Sequence, residues 1–194
     1  MPHRTLYTDR LILEPITLPI VEAVMKGDRA AAEAILQARL PEAWPGTSLI
    51  ERAFVASLEA IRDNPEKRLW GDRVLIARGE QRVVVGSVVF HGAPDEDGNV
   101  EIAYGVEQAS QRQGYATEAV RISVEWALWQ PGVRAVRATT MPWHAASRRV
   151  LEKVGMKIIG TRDHELLGEL LGYERPSIRP HAPSQRRSVA PSSY

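Results

Sequence analysis

Along much of the chain, hydrophobic and polar positions alternate with a period of two, which predicts the strands of a β-sheet. The clearest example is Val100–Val106, where branched and aromatic residues alternate with Glu101, Ala103 and Gly105, so that the strand has two different faces. Similar patterns predict further strands at residues 7–16, 73–77, 83–90, 133–140, 156–161 and 167–173. The chain therefore provides about seven strands for a central sheet.

Helical patterns occur between these strands, where hydrophobic residues recur at spacings of three and four. One helix begins at Tyr115 and ends at the turn residues 130–132. Another pattern is interrupted by Gly27–Asp28, which predicts two shorter helices in its place. The helical patterns other than that at Tyr115 cover residues 18–36, 48–62 (opened by a capping box, Ser48-x-x-Glu51) and 145–154.

The composition is that of an ordinary globular protein: 194 residues, of which 44% are hydrophobic and 25% charged. This length allows one domain with a substantial core, which we place at residues 1–175. Residues 176–194 are rich in Pro, Ser and Arg and contain no acidic residue. We expect them to form a disordered tail, with a basic arm that touches RNA as the alternative.

Charge and cysteine content exclude several classes of function. The formal net charge is +1, so there is no global electrostatic case for a nucleic-acid partner. The absence of cysteine excludes disulfides, thiolate metal sites and cysteine nucleophiles. No apolar run approaches the roughly 20 residues of a membrane span, and Met1–Thr5 does not begin a signal peptide. We therefore expect a cytoplasmic protein with no membrane partner.

The junction between the strand at Val100–Val106 and the helix at Tyr115 has the features of an anion-binding loop. Gly114 lies just before the helix, where a residue without a side chain lets the backbone approach a ligand closely. The first turn of a helix has N–H groups without intrahelical partners at the positive end of the helix dipole, which suits a phosphate. Arg112 adds a positive charge. A simple connecting turn is the alternative interpretation.

Two motifs relate the chain to a known family. The spacing Gln111-x-x-Gly114-x-Ala116 resembles the acyl-CoA motif of the GCN5-related N-acetyltransferases (GNAT), Gln/Arg-x-x-Gly-x-Gly/Ala. The segment His144–Met156 resembles the family's Asn-x-x-Ser-x-x-Val-Leu-x-x-Leu-Gly-Phe motif, which packs beside the pantetheine arm. Residues 8–15 resemble the start of the branch that includes the ribosomal-protein N-terminal acetyltransferases. Two motifs in the family's order are far more specific than either alone.

The resemblance spans residues 7–175 and implies an α+β fold. The family has a mixed, mostly antiparallel central sheet flanked by helices, and its central strands splay apart so that pantetheine can lie between them. The loop before the long helix wraps the diphosphate of acetyl-CoA, which is the co-substrate. The residues of this chain that the resemblance assigns to acetyl-CoA are Tyr104, Gly105, Val106, Gln111, Arg112, Gln113, Gly114, Tyr115, Ala116, Thr117, His144 and Ser147.

The chain departs from the family pattern at two positions. His144 replaces the usual Asn, and its imidazole can cap the helix, hold the co-substrate or simply be exposed. Leu151 occupies the position where many relatives have a Tyr that protonates the leaving thiolate, a role that leucine cannot perform. Ser147 is the nearest hydroxyl and is a candidate general acid. Hydrogen bonding at the helix N-terminus is the alternative role for Ser147.

Glu101 is the candidate general base. It stands where several relatives have a catalytic Glu, and the alternation places it on the face opposite Val100 and Ile102. Amines near pH 7 are largely protonated, so a base acting through a water would assist the transfer. A solvent-facing strand glutamate is the alternative interpretation.

Weaker candidates for an acceptor pocket are Trp44, Trp70, His91 and His164, for which core or rim packing is the alternative. Neither of these histidines has a companion at ligand spacing, so we predict no metal site. We expect an acetyl-CoA-dependent N-acetyltransferase that transfers the acetyl group directly to a primary amine, with a protein N-terminal amine as the acceptor. The alternatives are a small-molecule amine (polyamine, amino acid or aminoglycoside) or a non-catalytic acyl-CoA-binding module. The sequence leaves a homodimer open.

Overall fold

The computed structural model describes residues 4–43 and 58–178. The predicted capping box, Trp44 and the predicted tail beyond Ile178 lie outside these residues. Within the described ranges, eight strands form one sheet in the order β1-β2-β3-β4-β5-β6-β8-β7. The strands are β1 Leu6–Tyr7, β2 Leu11–Pro15, β3 Arg73–Ala77, β4 Val83–Phe90, β5 Asn99–Val106, β6 Ala135–Thr140, β7 Lys157–His164 and β8 Gly168–Pro176. Every neighbouring pair is antiparallel except β5–β6, which is parallel.

The predicted first strand is in fact a small hairpin, which explains why the sheet has eight strands rather than about seven. The side chain of Thr8 makes the turn, because its Oγ1 accepts a hydrogen bond from the backbone N–H of Leu11 at 2.9 Å. The chain then returns antiparallel, with Leu6 opposite Leu13. A β-strand pattern does not reveal such a local side-chain turn.

Helices cover both faces of the sheet, and those of the described chain are α1 Leu18–Met25, α2 Arg29–Leu36, α3 Leu58–Asp63, α4 Pro65–Arg68, α5 Tyr115–Trp129 and α6 Ala145–Lys153. The predicted break at Gly27–Asp28 is confirmed. Gly27 has φ +67°, and the Asp28 side chain caps α2 by accepting the backbone N–H of Ala31 at 3.0 Å. The starts of α5 and α6 are also confirmed, whereas α4 was not predicted.

Two hydrophobic clusters lie on opposite faces of the sheet. The first packs α5 and α6 against the sheet and includes Val100, Ile102 and the fully buried Leu151. The second packs α1, α2 and α3 against the other face, where Ala103 contacts it. The alternation of β5 is therefore confirmed: its even-numbered residues face α5 and α6, and its odd-numbered residues face the opposite side.

The central strands splay apart, as the resemblance implied. Parallel pairing between β5 and β6 covers only Asn99 to Glu101, and the last pair is Glu101 with Arg137. Beyond this point β5 stays paired with β4 as far as Val106, while β6 stays paired with β8 as far as Thr140. A gap therefore opens between residues 102–106 of β5 and the end of β6. Along that gap, backbone groups of β5 can bond an extended ligand as a strand would.

Candidate active site

The loop before α5 has the geometry of an anion site. Gly114 is the N-cap residue of α5 with φ +87°, and no side chain caps the helix. The first bond of the helix runs from the N–H of Glu118 to the carbonyl oxygen of Gly114 at 3.1 Å. The N–H groups of residues 115–117 precede it and have no intrahelical acceptor. Arg112 also has a left-handed φ of 62°. These donors and the helix dipole fit the diphosphate that the resemblance implied.

The side chain of Gln111 turns back toward the strand. Its Nε2 donates to the carbonyl oxygen of Val106 at 3.1 Å, which fixes the loop to the end of β5. The neighbouring carbonyl oxygen of Gln113 accepts a hydrogen bond at 2.9 Å from Nη1 of Arg10, a residue of the β1–β2 turn. The loop is thus held at both ends, and Arg10 brings a second cation to it.

Glu101 lies at the point where β5 and β6 diverge. Thr139 of β6 donates its Oγ1 hydrogen to Oε1 of Glu101 at 2.9 Å, across the start of the gap. Nδ1 of His91 lies 3.6 Å from Oε2 of the same carboxylate. The side chain of Glu101 is only 29% exposed, so it is a partnered carboxylate rather than a freely solvated one. Its role as a base remains a prediction.

The charges around Glu101 favour its ionised form. The nearby His91 is the largest influence and lowers the pKa of Glu101, with further lowering from Thr139 and from the nearby Arg162; burial acts in the opposite direction. The Glu101 carboxylate in turn raises the pKa of His91, against burial and the charge of Arg162. Over the interval between the two pKa values the pair is therefore a carboxylate and an imidazolium.

On the opposite face of the sheet, Tyr104 and Ser147 form a pair of hydroxyls. The phenolic oxygen of Tyr104 lies 3.0 Å from Oγ of Ser147, and the phenol also donates to the carbonyl oxygen of Ser147 at 3.2 Å. Burial raises the pKa of Tyr104 to about 12. Ser147 lies in the first turn of α6, but its hydroxyl contacts Tyr104 and not the helix backbone. The pair therefore lies beside the gap on the face opposite Glu101.

The two departures from the family motif have different outcomes. His144 is the N-cap residue of α6, but its side chain makes no capping hydrogen bond, so the capping role is wrong. Its ring is exposed and lies 5.8 Å from that of Trp143. Leu151 is fully buried in the core between the sheet and the helices, so it has a packing role. Contact between His144 and the co-substrate stays a prediction.

The candidates for an acceptor pocket are dispersed. Trp70 belongs to the core, where its ring contacts those of Phe90 and Trp126 at 5.1 and 4.9 Å, so the packing interpretation is the correct one. His164 lies at the tip of the β7–β8 hairpin, and its Nδ1 accepts the backbone N–H of Leu166. Of the four, His91 alone is placed beside Glu101; Trp44 lies outside the described residues.

Among residues 4–43 and 58–178, no three His, Asp or Glu side chains come together as metal ligands would. No helix in these ranges has the length and apolar character needed to cross a membrane.

Sequence reasoning missed three contacts of the site: His91 and Thr139 at Glu101, and Arg10 at the loop. Thr139 and Arg10 come from elements far along the chain, so no local spacing reveals them. A weak signal existed for His91, because it directly follows β4, which forms a hairpin with β5, and a hairpin places such residues opposite each other. The backbone N–H of His91 indeed donates to the carbonyl oxygen of Glu101.

Comparison with known proteins gives a consistent result. The family model for the acetyltransferase (GNAT) domain matches residues 10–157 of the chain. A curated relative, the uncharacterized N-acetyltransferase YjdG of Bacillus subtilis (strain 168), is 29% identical over 150 residues; these are 77% of this chain and 88% of the relative. The family match contains the loop before α5 and residues 102–106 of β5 beside the gap, and it ends at Lys157, the first residue of β7.

Solved structures show the same fold. The ribosomal-protein-S5-alanine acetyltransferase of Vibrio fischeri superposes with a TM-score of 0.62 at 14% identity, covering 91% of this chain and 100% of that one. Mycobacterium smegmatis RimJ, in complex with CoA-disulfide, superposes with a TM-score of 0.57 at 20% identity, covering 86% of this chain and 82% of that one. At these identities the likeness is one of fold.

Proposed function

The chain belongs to the GNAT acetyltransferase family, and from this premise we propose that it transfers the acetyl group of acetyl-CoA directly to the N-terminal amine of a polypeptide. The observation that carries the proposal is the position of Glu101: a partnered carboxylate lies where β5 and β6 diverge, on the face opposite the Tyr104–Ser147 pair. The gap thus has a base on one face and hydroxyl donors on the other.

Different residues of the chain carry out different steps of the proposed reaction. Bound acetyl-CoA supplies a thioester whose C–S bond breaks as the amine nitrogen forms a C–N bond, giving an amide and a free thiol. Glu101, through a water, accepts the proton that the ammonium must lose. An N–H group of the Tyr104–Val106 segment stabilises the oxyanion. Ser147 returns a proton to the departing sulfur. Thiolates leave readily, so this last contribution is the smaller one.

Further residues of the predicted set hold the co-substrate. The amides of residues 115–117 and of Gly114 bond the diphosphate, and Arg112 adds charge to the same loop. His144, exposed at the start of α6 beside the gap, donates to the pantetheine arm. The free edge of β5 pairs with the amides of that arm. No metal is required, because a thioester is already activated and the loop supplies the positive potential.

The surface beside Glu101 favours a polypeptide acceptor over a small molecule. Beyond β6 and β8, all eight residues of the edge strand β7 are exposed. Arg137 of β6 is also 47% exposed, although it is paired with Glu174 of β8. Such an open, polar surface fits the end of a flexible chain better than it fits a small ligand, which proteins usually enclose. The ribosomal-protein acetyltransferases among the structural relatives are consistent with this choice.

An acceptor screen tests the proposal. Protein and acetyl-CoA are mixed with peptides whose first residues are Ala, Ser, Gly or Met, with polyamines, and with aminoglycosides, and release of free thiol is followed. The matched control is each peptide with its N-terminus already acetylated but its lysine amines intact. We expect thiol release only with free N-termini. Release with polyamines or aminoglycosides instead would overturn the polypeptide acceptor. Stabilisation by CoA without thiol release would indicate a non-catalytic binder.

Replacing Ser147 by alanine is expected to slow turnover about 100-fold, the lower end of the effect of a general acid, because the hydroxyl beside the leaving sulfur is lost. The measurement is kcat at saturating acetyl-CoA. Tyr104→Phe is the matched variant, since it keeps Ser147 while removing the phenolic hydroxyl; we expect a smaller loss. A loss below about tenfold for Ser147→Ala would make the residue structural.

A further inference from the structure

Arg10, from the β1–β2 turn, lies directly on the loop that precedes α5. Its Nη1 donates to the carbonyl oxygen of Gln113 at 2.9 Å, and its guanidinium carbon is 5.0 Å from the centre of the Tyr115 ring. Its Nη2 would be 3.3 Å from a Cβ placed on Gly114. Arg10 therefore contacts three consecutive residues of the loop, although it is remote from them in sequence.

The same guanidinium is paired with Glu118, in the first turn of α5. Nε of Arg10 donates to Oε2 of Glu118 at 2.8 Å, and Nη2 donates to the same oxygen at 2.5 Å. The other carboxylate oxygen accepts the backbone N–H of Arg10 at 3.1 Å and the hydroxyl of Thr8 at 2.5 Å. Although partial burial opposes them, these hydrogen bonds lower the pKa of Glu118. A carboxylate is thus held ionised one turn from the loop amides.

An ionised carboxylate at this place has two opposite effects. It interacts favourably with the positive end of the helix dipole, but it repels a diphosphate bound at the same helix start. Arg10 cancels that repulsion through its pairing with Glu118. Without Arg10, the first turn of α5 would carry an uncompensated negative charge.

Arg10 also retains donors of its own. A guanidinium has five N–H groups, and its contacts with Glu118 and Gln113 use three of them. The remaining two, on Nη1 and Nη2, have no acceptor within the described part of the chain. The side chain is 49% exposed, so these donors are open to solvent beside Gly114. Guanidinium N–H groups of this kind form strong, charge-assisted hydrogen bonds with phosphate oxygens.

We propose that Arg10 is a diphosphate-binding residue of the acetyl-CoA site, which neutralises Glu118 and directs its two remaining N–H groups at the diphosphate. This inference rests on the proposed function, because it assumes that the loop holds acetyl-CoA. It gives a role to the turn of residues 8–10: this turn delivers a cation from the N-terminal hairpin to the start of α5.

The test is CoA affinity, measured by calorimetry for the wild type, Arg10→Ala, Glu118→Gln and the double variant. Arg10→Ala is expected to weaken CoA binding about 10- to 100-fold, the loss expected for hydrogen bonds to a charged group. The double variant should bind more tightly than Arg10→Ala, because the unpaired carboxylate is gone. The matched control is Arg78→Ala: Arg78 donates to the carbonyl oxygen of Thr8 at 2.8 Å and so supports the same turn from outside the loop. We expect it to bind CoA normally.

A second substrate separates binding from folding. S-acetylpantetheine has the thioester but no diphosphate, so Arg10→Ala should lower kcat/KM for acetyl-CoA while leaving that for S-acetylpantetheine unchanged. Arg10→Lys keeps the charge but not the forked geometry, and should recover part of the affinity. Equal losses with both thioesters, or normal CoA binding by Arg10→Ala, would overturn the inference alone. Failure of the wild type to bind CoA would overturn the proposed function with it.

Discussion

Replacement of Gly114 by valine is expected to abolish CoA binding, with an affinity at least about 100-fold below that of the wild type, as for the loss of two charge-assisted hydrogen bonds. Two physical reasons combine. Gly114 has φ +87°, a conformation that a β-branched residue resists. A Cβ at this position would also approach Nη2 of Arg10 to 3.3 Å, and the rest of the valine side chain would cover the amides that face the diphosphate. Calorimetry with CoA measures the effect.

The matched control is Gly132→Val, in the turn after α5. Gly132 has φ +82°, close to that of Gly114, but a Cβ added there would meet no atom within 4 Å. This variant therefore carries the same backbone strain without covering the loop. We expect both variants to lose similar thermal stability and only Gly114→Val to lose CoA. Wild-type affinity in Gly114→Val would contradict the assignment of the loop to the diphosphate.

Most of the fold could be predicted from local pattern. The hairpin strands at 73–77 and 83–90 and the starts of α5 and α6 were placed correctly, because alternation, helical spacing and turn glycines are properties of neighbouring residues. The errors have local physical causes as well. The side chain of Thr8 converts one predicted strand into a hairpin. Asn64 caps the short α4 by accepting the N–H of Lys67, in a segment too short for a helical pattern to register.

The candidate site could be predicted only in part, because some of its features depend on neighbouring residues and others on contacts between elements distant in sequence. The orientation of Glu101 follows from the period of a single strand and is confirmed. Its partners do not follow, since His91 and Thr139 reach it through the registers of two strand pairs. Register depends on packing across the whole sheet. The pairing of Arg10 with Glu118 has the same origin, as a contact between the first hairpin and the long helix.

The arrangement around the gap links these contacts to the chemistry. Glu101 and the Tyr104–Ser147 pair lie on opposite faces of the sheet, where the chain separates β5 from β6. In the mechanism we propose, an amine approaching on the Glu101 face loses its proton there, while sulfur departs toward the hydroxyls. One strand, β5, would then place the proposed base, the free backbone edge and the phenol through its alternation alone. For this reason, most of the residues that point to a function in the sequence lie between Val100 and Gly114.

Glu101→Gln is expected to lower kcat/KM for the acceptor amine about 100- to 1,000-fold, within the usual range for a general base, and to leave CoA affinity unchanged. The loss should be larger at pH 6.5 than at pH 9. N-terminal amines have pKa values of about 7.7–8.0, so at acidic pH most of the acceptor is ammonium and depends on the base. Since the nearby His91 lowers the pKa of Glu101, the carboxylate is ionised throughout this interval. A pH profile of the variant parallel to that of the wild type would remove Glu101 as the base.

Stability must be followed alongside activity, because the same pair affects both. The pKa of Glu101 is lowered, so its contribution to stability is present above its unfolded pKa and lost as the pH falls through the folded value. The pKa of His91 is raised, so its contribution is present below its unfolded pKa and lost as the pH rises through the folded value. The pair therefore stabilises the fold most at pH values between the unfolded pKa of Glu101 and the unfolded pKa of His91. Compared with the wild type at the same pH, Glu101→Gln should lose more stability at pH 6 than at pH 9. Assays at a temperature where thermal unfolding shows both proteins to be folded remove this contribution.

The pKa of His91 reports directly on the coupling between His91 and Glu101, which the activity assay does not measure. In the wild type, the nearby Glu101 carboxylate raises the pKa of His91; in Glu101→Gln that charge is gone, so the pKa of His91 should fall. Titration of the imidazole by NMR measures the shift. The matched control is Glu174→Gln, which removes the ion pair between Oε2 of Glu174 and Nε of Arg137, 2.8 Å apart. This variant should alter neither the pKa of His91 nor the pH dependence of kcat/KM. If the His91 pKa stays raised in Glu101→Gln, the two groups are not coupled in solution. The lowered pKa of Glu101 would then have no explanation in its contact with His91.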